Sequence, residues 1–170
     1  ADDCVKHDNC PLSGTTDQAV KQLQDWLQGL DAKPMEAGSR DLNEPLATYA
    51  VLSYLYFPSM DYPQLRSALK SAMDGGDPHP LLSLLDSRID RAPNGHYTNN
   101  STDAFYGVTC LDRPFTGTVA DVERLAREWK ATAPTFGPAL AWGLLTCKDW
   151  PASTQTISET TARGSNPILV

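Results

Sequence analysis

The chain has 170 residues, of which 41% are hydrophobic and 21% charged, with a net charge of -7. That is enough for one domain with its own core, or for one large helical insert. The acidic balance and the scattered Lys and Arg argue against a nucleic-acid partner, because neutralising phosphates requires clustered cations. No apolar run approaches the ~20 residues of a membrane span, so no membrane partner is expected.

The first stretch, Asp2 to Gly14, is irregular and punctuated by Cys4, Cys10, Pro11 and Gly14. Thr15 with Gln18 three residues later is a capping-box pattern that predicts a helix start. Val20, Leu23, Trp26, Leu27 and Leu30 then recur at helical spacing, and Pro34 and Gly38 close the element. Asp41 with Glu44 predicts a second start, with Pro45 in its first turn. That helix is expected to run through Leu46, Tyr49, Leu52, Tyr56 and Phe57 until Pro58 stops it. It is apolar over much of its circumference, which suits a central element or one facing a partner.

Asp61 is expected to cap a third helix with Pro63 in its first turn, ended by Gly75-Gly76. A fourth helix is predicted through Leu81, Leu82, Leu84, Leu85 and Ile89. Arg91 to Asn100 reads as a loop rich in Pro, Gly and Asn. A fifth helix is expected over about Ser101 to Cys110. A sixth is opened by Thr118 with Asp121 and ended by Pro134. A last apolar stretch runs from Phe136 to Leu145. The resulting expectation is an all-α fold of six or seven helices. Residues 1–152 form the helical domain, 153–166 a Ser/Thr-rich linker, and 167–170 (Pro-Ile-Leu-Val) the start of a buried parallel strand that belongs to a sheet outside this chain.

Few residues offer chemistry. A serine hydrolase of the α/β class carries Gly-x-Ser-x-Gly on a strand-to-helix turn, and that pattern is absent from the chain. His7, His79 and His96 all fall in loop-like contexts. Gly75-Gly76-Asp77 follows a helix instead of preceding one, so it is not a phosphate loop. Asp2, Asp3, His7 and Asp8 read as a solvated loop. No catalytic residue, metal or cofactor is therefore expected. The four cysteines, Cys4, Cys10, Cys110 and Cys147, suit a disulfide-bearing secreted protein. The rival use is zinc, with His7 between the first two, although their spacing is wide for a knuckle.

Several segments in order resemble the lid, or cap, of secreted bacterial tripeptidyl and prolyl aminopeptidases, the serine peptidases related to proline iminopeptidase. They are Asp3-Cys4-Val5 through Asp8-Asn9-Cys10-Pro11-Leu12, then Asp61-Tyr62-Pro63-Gln64-Leu65, then Val108-Thr109-Cys110-Leu111-Asp112, then Cys147-Lys148-Asp149-Trp150-Pro151, and finally Pro167-Ile168-Leu169-Val170. The resemblance implies an irregular helical lid of an α/β-hydrolase without the catalytic sheet, whose partners are the parent's catalytic domain and the N-terminus of a peptide substrate. It implies that the triad lies outside this chain, so the chain alone is not catalytic. It also implies a role for lid carboxylates in holding a protonated substrate amine, with Asp112 first, and Asp103 and Tyr106 on the preceding helix. The alternative role for Asp112 is a turn residue before Pro114. The expected disulfides are Cys4–Cys10 and Cys110–Cys147, one of three possible pairings. The alternative function is a free-standing secreted all-α binding or inhibitor module.

Overall fold

The computed structural model describes residues 1–151. Among these residues it is all-helical, with no β-strand, as the caps and helical stripes predict. The expected linker 153–166 and the strand 167–170 lie outside the described residues.

The first helix, α1 (Thr16–Ala32), starts at the expected capping box. The Thr15 Oγ1 accepts the Gln18 amide N–H at 3.3 Å, and the Thr15 amide donates back to Gln18 Oε1 at 2.8 Å. Such a cap satisfies two amides that the helix itself cannot, and is worth about 1 kcal/mol. Ala19, Leu27 and Leu30 are its buried residues. The chain then reverses through a short antiparallel pairing of Met35 with Leu42, bonded at 3.0 and 2.9 Å, which drives Leu42 fully into the core.

Helix α2 (Glu44–Ser53) is capped by Asn43, whose side chain accepts the Leu46 amide at 3.1 Å. The start is therefore two residues later than Asp41, which instead accepts the Ala37 amide within the preceding loop. Small residues, Ala47 and Ala50, let α2 pack closely against α1 and α4, as a central helix must.

The end of α2 also departs from the sequence expectation. It stops at Ser53, and Pro58 opens the next helix, α3 (Pro58–Met73), instead of ending α2. A proline at the first helical position lacks only an N–H that would be unpaired there anyway. Asp61 is consequently inside α3, with Pro63 beyond it, yet its carboxylate still performs a capping function. It accepts the Phe57 amide at 3.2 Å and the Arg88 guanidinium at 3.1 Å while buried. Arg88 also lies 4.4 Å over the Tyr54 ring, so one cation binds the ends of α2, α3 and α4 together.

Helix α3 ends where Gly75-Gly76 predicts. Gly76 takes a left-handed φ of 71°, and a Cβ on Gly75 would lie 2.8 Å from the Ser71 carbonyl oxygen. Helix α4 (His79–Arg88) returns Leu81, Leu82 and Leu85 to the core formed with Leu42, Val51, Leu65 and Leu69.

At the N-terminus a 3-10 turn (Cys4–Lys6) is closed by the Cys4–Cys10 disulfide. The largely buried Arg66 of α3 anchors this loop by donating to Asp3 and to Asn9. The second part of the chain comprises α5 (Ser101–Asp112), α6 (Val119–Thr132) and α7 (Gly137–Gly143), followed by a 3-10 turn (Leu144–Cys147). Thr118 and Asp121 form the expected capping box at the start of α6. Helices α6 and α7 pack tightly, with Val122, Ala126 and Ala141 between them. Gly137 permits the approach, since a Cβ there would meet the Trp129 carbonyl oxygen at 2.6 Å. Phe136 reaches the α1–α4 core, and the Gln24 amide donates to Thr135 at 2.8 Å, joining the two parts.

Candidate functional site

Between α1–α2 on one side and α5–α7 on the other lies a cavity of about 750 Å³, within the size range of small-molecule sites. Leu27, Thr48, Tyr49 and Leu52 form the first wall. Leu140, Trp142 and Leu144 contribute from α7 and the turn after it, Tyr106 and Thr109 from α5, and Arg113 from the residue that caps α5 at its C-terminal end.

Helix α5 explains how that wall arises. Tyr106, Thr109 and Arg113 are three and four residues apart, so they share one face. Ala104, Phe105, Val108 and Leu111 occupy the other face and are exposed. The helix thus turns half-buried Tyr106 and Thr109 inward and its apolar residues outward, the reverse of a surface helix on an isolated domain, while Arg113, just past its C-terminal end, is exposed at the rim of the cavity. Its one buried residue is Cys110, bonded to Cys147.

Tyr49, Tyr106 and Trp142 give the cavity its aromatic lining, and further aromatic side chains stand near them in the chain. Phe105 and Tyr106 meet edge-on with ring centroids 5.3 Å apart. Burial pushes the Tyr49 phenol pKa upward, with Tyr106 and Tyr56 close enough to add to the shift. Tyr56 is 72% exposed and Phe57 52%. Tyr49 and Phe105 are likewise exposed, and Tyr56 and Phe57 lie in the turn after α2. Tyr106 is half-buried.

Three charged residues line the cavity: Glu44, Arg113 and Lys130. Burial pushes the Glu44 carboxyl upward, and nearby Asp31 adds to this while Lys130 opposes it. None of the three forms an ion pair with a described residue, whereas Arg40, Arg66, Arg88, Arg91 and Arg124 all do.

Of the residues singled out by sequence, Tyr106 lines the cavity. Asp103 stands one turn before it, in the first turn of α5, and is exposed. Asp112 ends α5, also exposed, roughly half a turn around the axis and about 13 Å along it from Asp103. The fold therefore does not converge the two carboxylates on one point. Cys4–Cys10 and Cys110–Cys147 form the expected disulfides, and no cysteine is free. Among the described residues no cluster of His, Cys, Asp and Glu is arranged to hold a metal ion. Sequence reasoning missed Glu44, Arg113 and Lys130 as cavity residues. Glu44 carried only a capping signal, whereas the 106, 109, 113 spacing of α5 was available to be read as one face.

No protein-family model matches the chain. It is 30% identical along its whole length to carboxylesterase B of Mycobacterium tuberculosis, of which the match covers 33%. It is 31% identical, over 89% of its length, to the serine protease Hip1 of the same organism, of which the match covers 31%. The chain thus spans about a third of the length of the curated relatives it matches, and it is a distant homologue of a domain-sized portion of hydrolases, one named an esterase and the other a serine protease.

Proposed function

We propose that this chain is the helical lid of a secreted serine aminopeptidase of the α/β-hydrolase class, of tripeptidyl or prolyl type. The observation that carries the reading is α5, which presents an apolar outer face and an aromatic mouth above a cavity, on a domain related to one third of larger hydrolases. Exposed apolar surface of this kind suits a domain that covers another. In this reading the catalytic domain lies against the aromatic rim, and the lid narrows access to short or unfolded peptides. Asp112 is the first proposed contact for the substrate's protonated N-terminus, and Asp103, one turn from Tyr106, is the alternative, since the two carboxylates do not converge on one point. The two disulfides fit an oxidising, extracellular setting. The absence of Gly-x-Ser-x-Gly leaves the nucleophile to another part of the polypeptide.

Hydrolysis of aminoacyl and tripeptidyl p-nitroanilides tests this. The 170-residue chain alone is expected to be inert, and the full polypeptide of its gene active and blocked by a serine-directed reagent. In that polypeptide, either Asp112→Asn or Asp103→Asn is expected to raise KM for free-amine substrates more than for N-acetylated ones, and the one that does so identifies the contact. Robust, reagent-sensitive hydrolysis by the 170-residue chain alone would refute the reading. So would a full polypeptide whose selectivity is indifferent to both substitutions and to deletion of residues 1–151.

A further inference from the structure

The cavity combines an apolar interior with cations that the fold leaves without partners. The protein is acidic overall, and most of its Lys and Arg are engaged in ion pairs, including Lys6, Lys21, Lys70, Arg91 and Lys148. Arg113 and Lys130 are not so engaged among the described residues, and both line the cavity. Lys130 has Glu44 near enough on the same cavity wall to oppose the rise in that carboxyl. Arg113 has no such counterweight on the cavity wall; it caps the C-terminal end of α5 and is exposed at the cavity rim, which Thr109 and Tyr106 also line. A guanidinium at the rim of an apolar cavity matches the planar, two-oxygen geometry of a carboxylate. Leu27, Leu52, Leu140 and Trp142 offer the body of such a ligand an apolar surface.

We propose that the cavity is a binding site for an apolar monocarboxylate, with its carboxylate on Arg113 and its body between α2 and α7. Two sources share this chemistry, a free acyl acid and the C-terminus of an apolar peptide. The site is intrinsic to residues 1–151 and does not depend on the lid reading. A failure of that reading in the hydrolysis assays leaves this site untouched, and the converse also holds.

The test is displacement of 11-(dansylamino)undecanoate, followed by energy transfer from tryptophan, using the 170-residue chain. The competitors are decanoate against methyl decanoate, and acetyl-trileucine acid against its amide. At least one acid is expected to compete about tenfold or more better than its neutral counterpart, as one charge-assisted contact allows. The pair that discriminates identifies the source. Arg113→Met is expected to remove most of that advantage while leaving the neutral ligand unchanged, and Arg113→Lys to restore part of it. Trp142→Ala is expected to weaken acid and neutral ligand alike. Arg127 is also without an ion pair among the described residues but does not line the cavity, so Arg127→Met is expected to change nothing. Three results would each overturn the proposal: no saturable probe binding, equal competition within both pairs, or equal effects of Arg113→Met and Arg127→Met.

Discussion

Cys110 is the one fully buried residue of α5, and its sulfur is bonded to Cys147 across 37 residues of sequence. The remainder of that helix meets the domain through half-buried Tyr106 and Thr109 and turns its apolar residues outward. Its position therefore rests on a covalent clasp more than on burial, and since α5 forms one wall of the cavity, the clasp also sets the cavity's width.

The first prediction follows from that clasp. Closing a loop of this length removes unfolded-state entropy equivalent to about 4 kcal/mol in the chain-entropy model. The Cys110→Ser, Cys147→Ser double variant is expected to lose hydrogen-exchange protection throughout α5, while α2, α3 and α4 around Leu81 and Leu85 keep theirs. Equal loss of protection in all helices would show that α5 is integral to the core.

Two glycines should respond in opposite directions. Gly137→Ala places a Cβ 2.6 Å from a backbone oxygen of α6, and overpacking of this kind costs roughly 1–3 kcal/mol. Gly143, in the last turn of α7, has nothing within 4 Å of an added Cβ and no positive φ. Gly143→Ala is expected to be neutral or to stabilise by about 0.5–1 kcal/mol through reduced unfolded-state freedom. Urea unfolding of the two variants checks both signs.

Glu44 makes a pH prediction. Its carboxyl is raised in the folded chain, chiefly by burial and then by Asp31. The folded state therefore binds a proton more readily than the unfolded state, and stability falls as pH rises through the range just above the ordinary glutamate value. Glu44→Gln removes that loss. The variant is expected to gain on the wild type as pH rises from about 4 to 7, with little difference at pH 4. Thermal unfolding across this range measures it, and a variant destabilised more at pH 7 than at pH 4 would contradict the assignment.

The outer face of α5 makes a solubility prediction. Phe105 and Val108 are 62% and 61% exposed, so Phe105→Ser and Val108→Ser should change stability by no more than about 0.5 kcal/mol. Self-association of the 170-residue chain at high concentration, read by sedimentation, is expected to fall because an exposed apolar patch is removed. A large loss of stability would mean that these side chains are packed within the domain.

What the sequence determined by itself was local. The capping boxes at Thr15–Gln18 and Thr118–Asp121 and the Gly75-Gly76 stop are set by bonds between groups within a few residues of one another, and each stands where the spacing predicts. The all-α class follows from the same signals. Even the α5 face of Tyr106, Thr109 and Arg113, and the divergence of Asp103 from Asp112, were legible as helical geometry. Tertiary structure decided the rest. Tyr56 and Phe57 fit a continuing helix, but α2 ends at Ser53, and Asp61 capping the new turn at Phe57 and holding Arg88 from α4 favours a fresh start at Pro58. The cavity is likewise a property of no single segment. Glu44, Arg113 and Lys130 belong to three helices or their ends, and they meet only because Phe136 and the Gln24–Thr135 bond lay the second part of the chain over α1 and α2. Caps act over a few residues, whereas burial and the fields between charges depend on which distant surfaces come together.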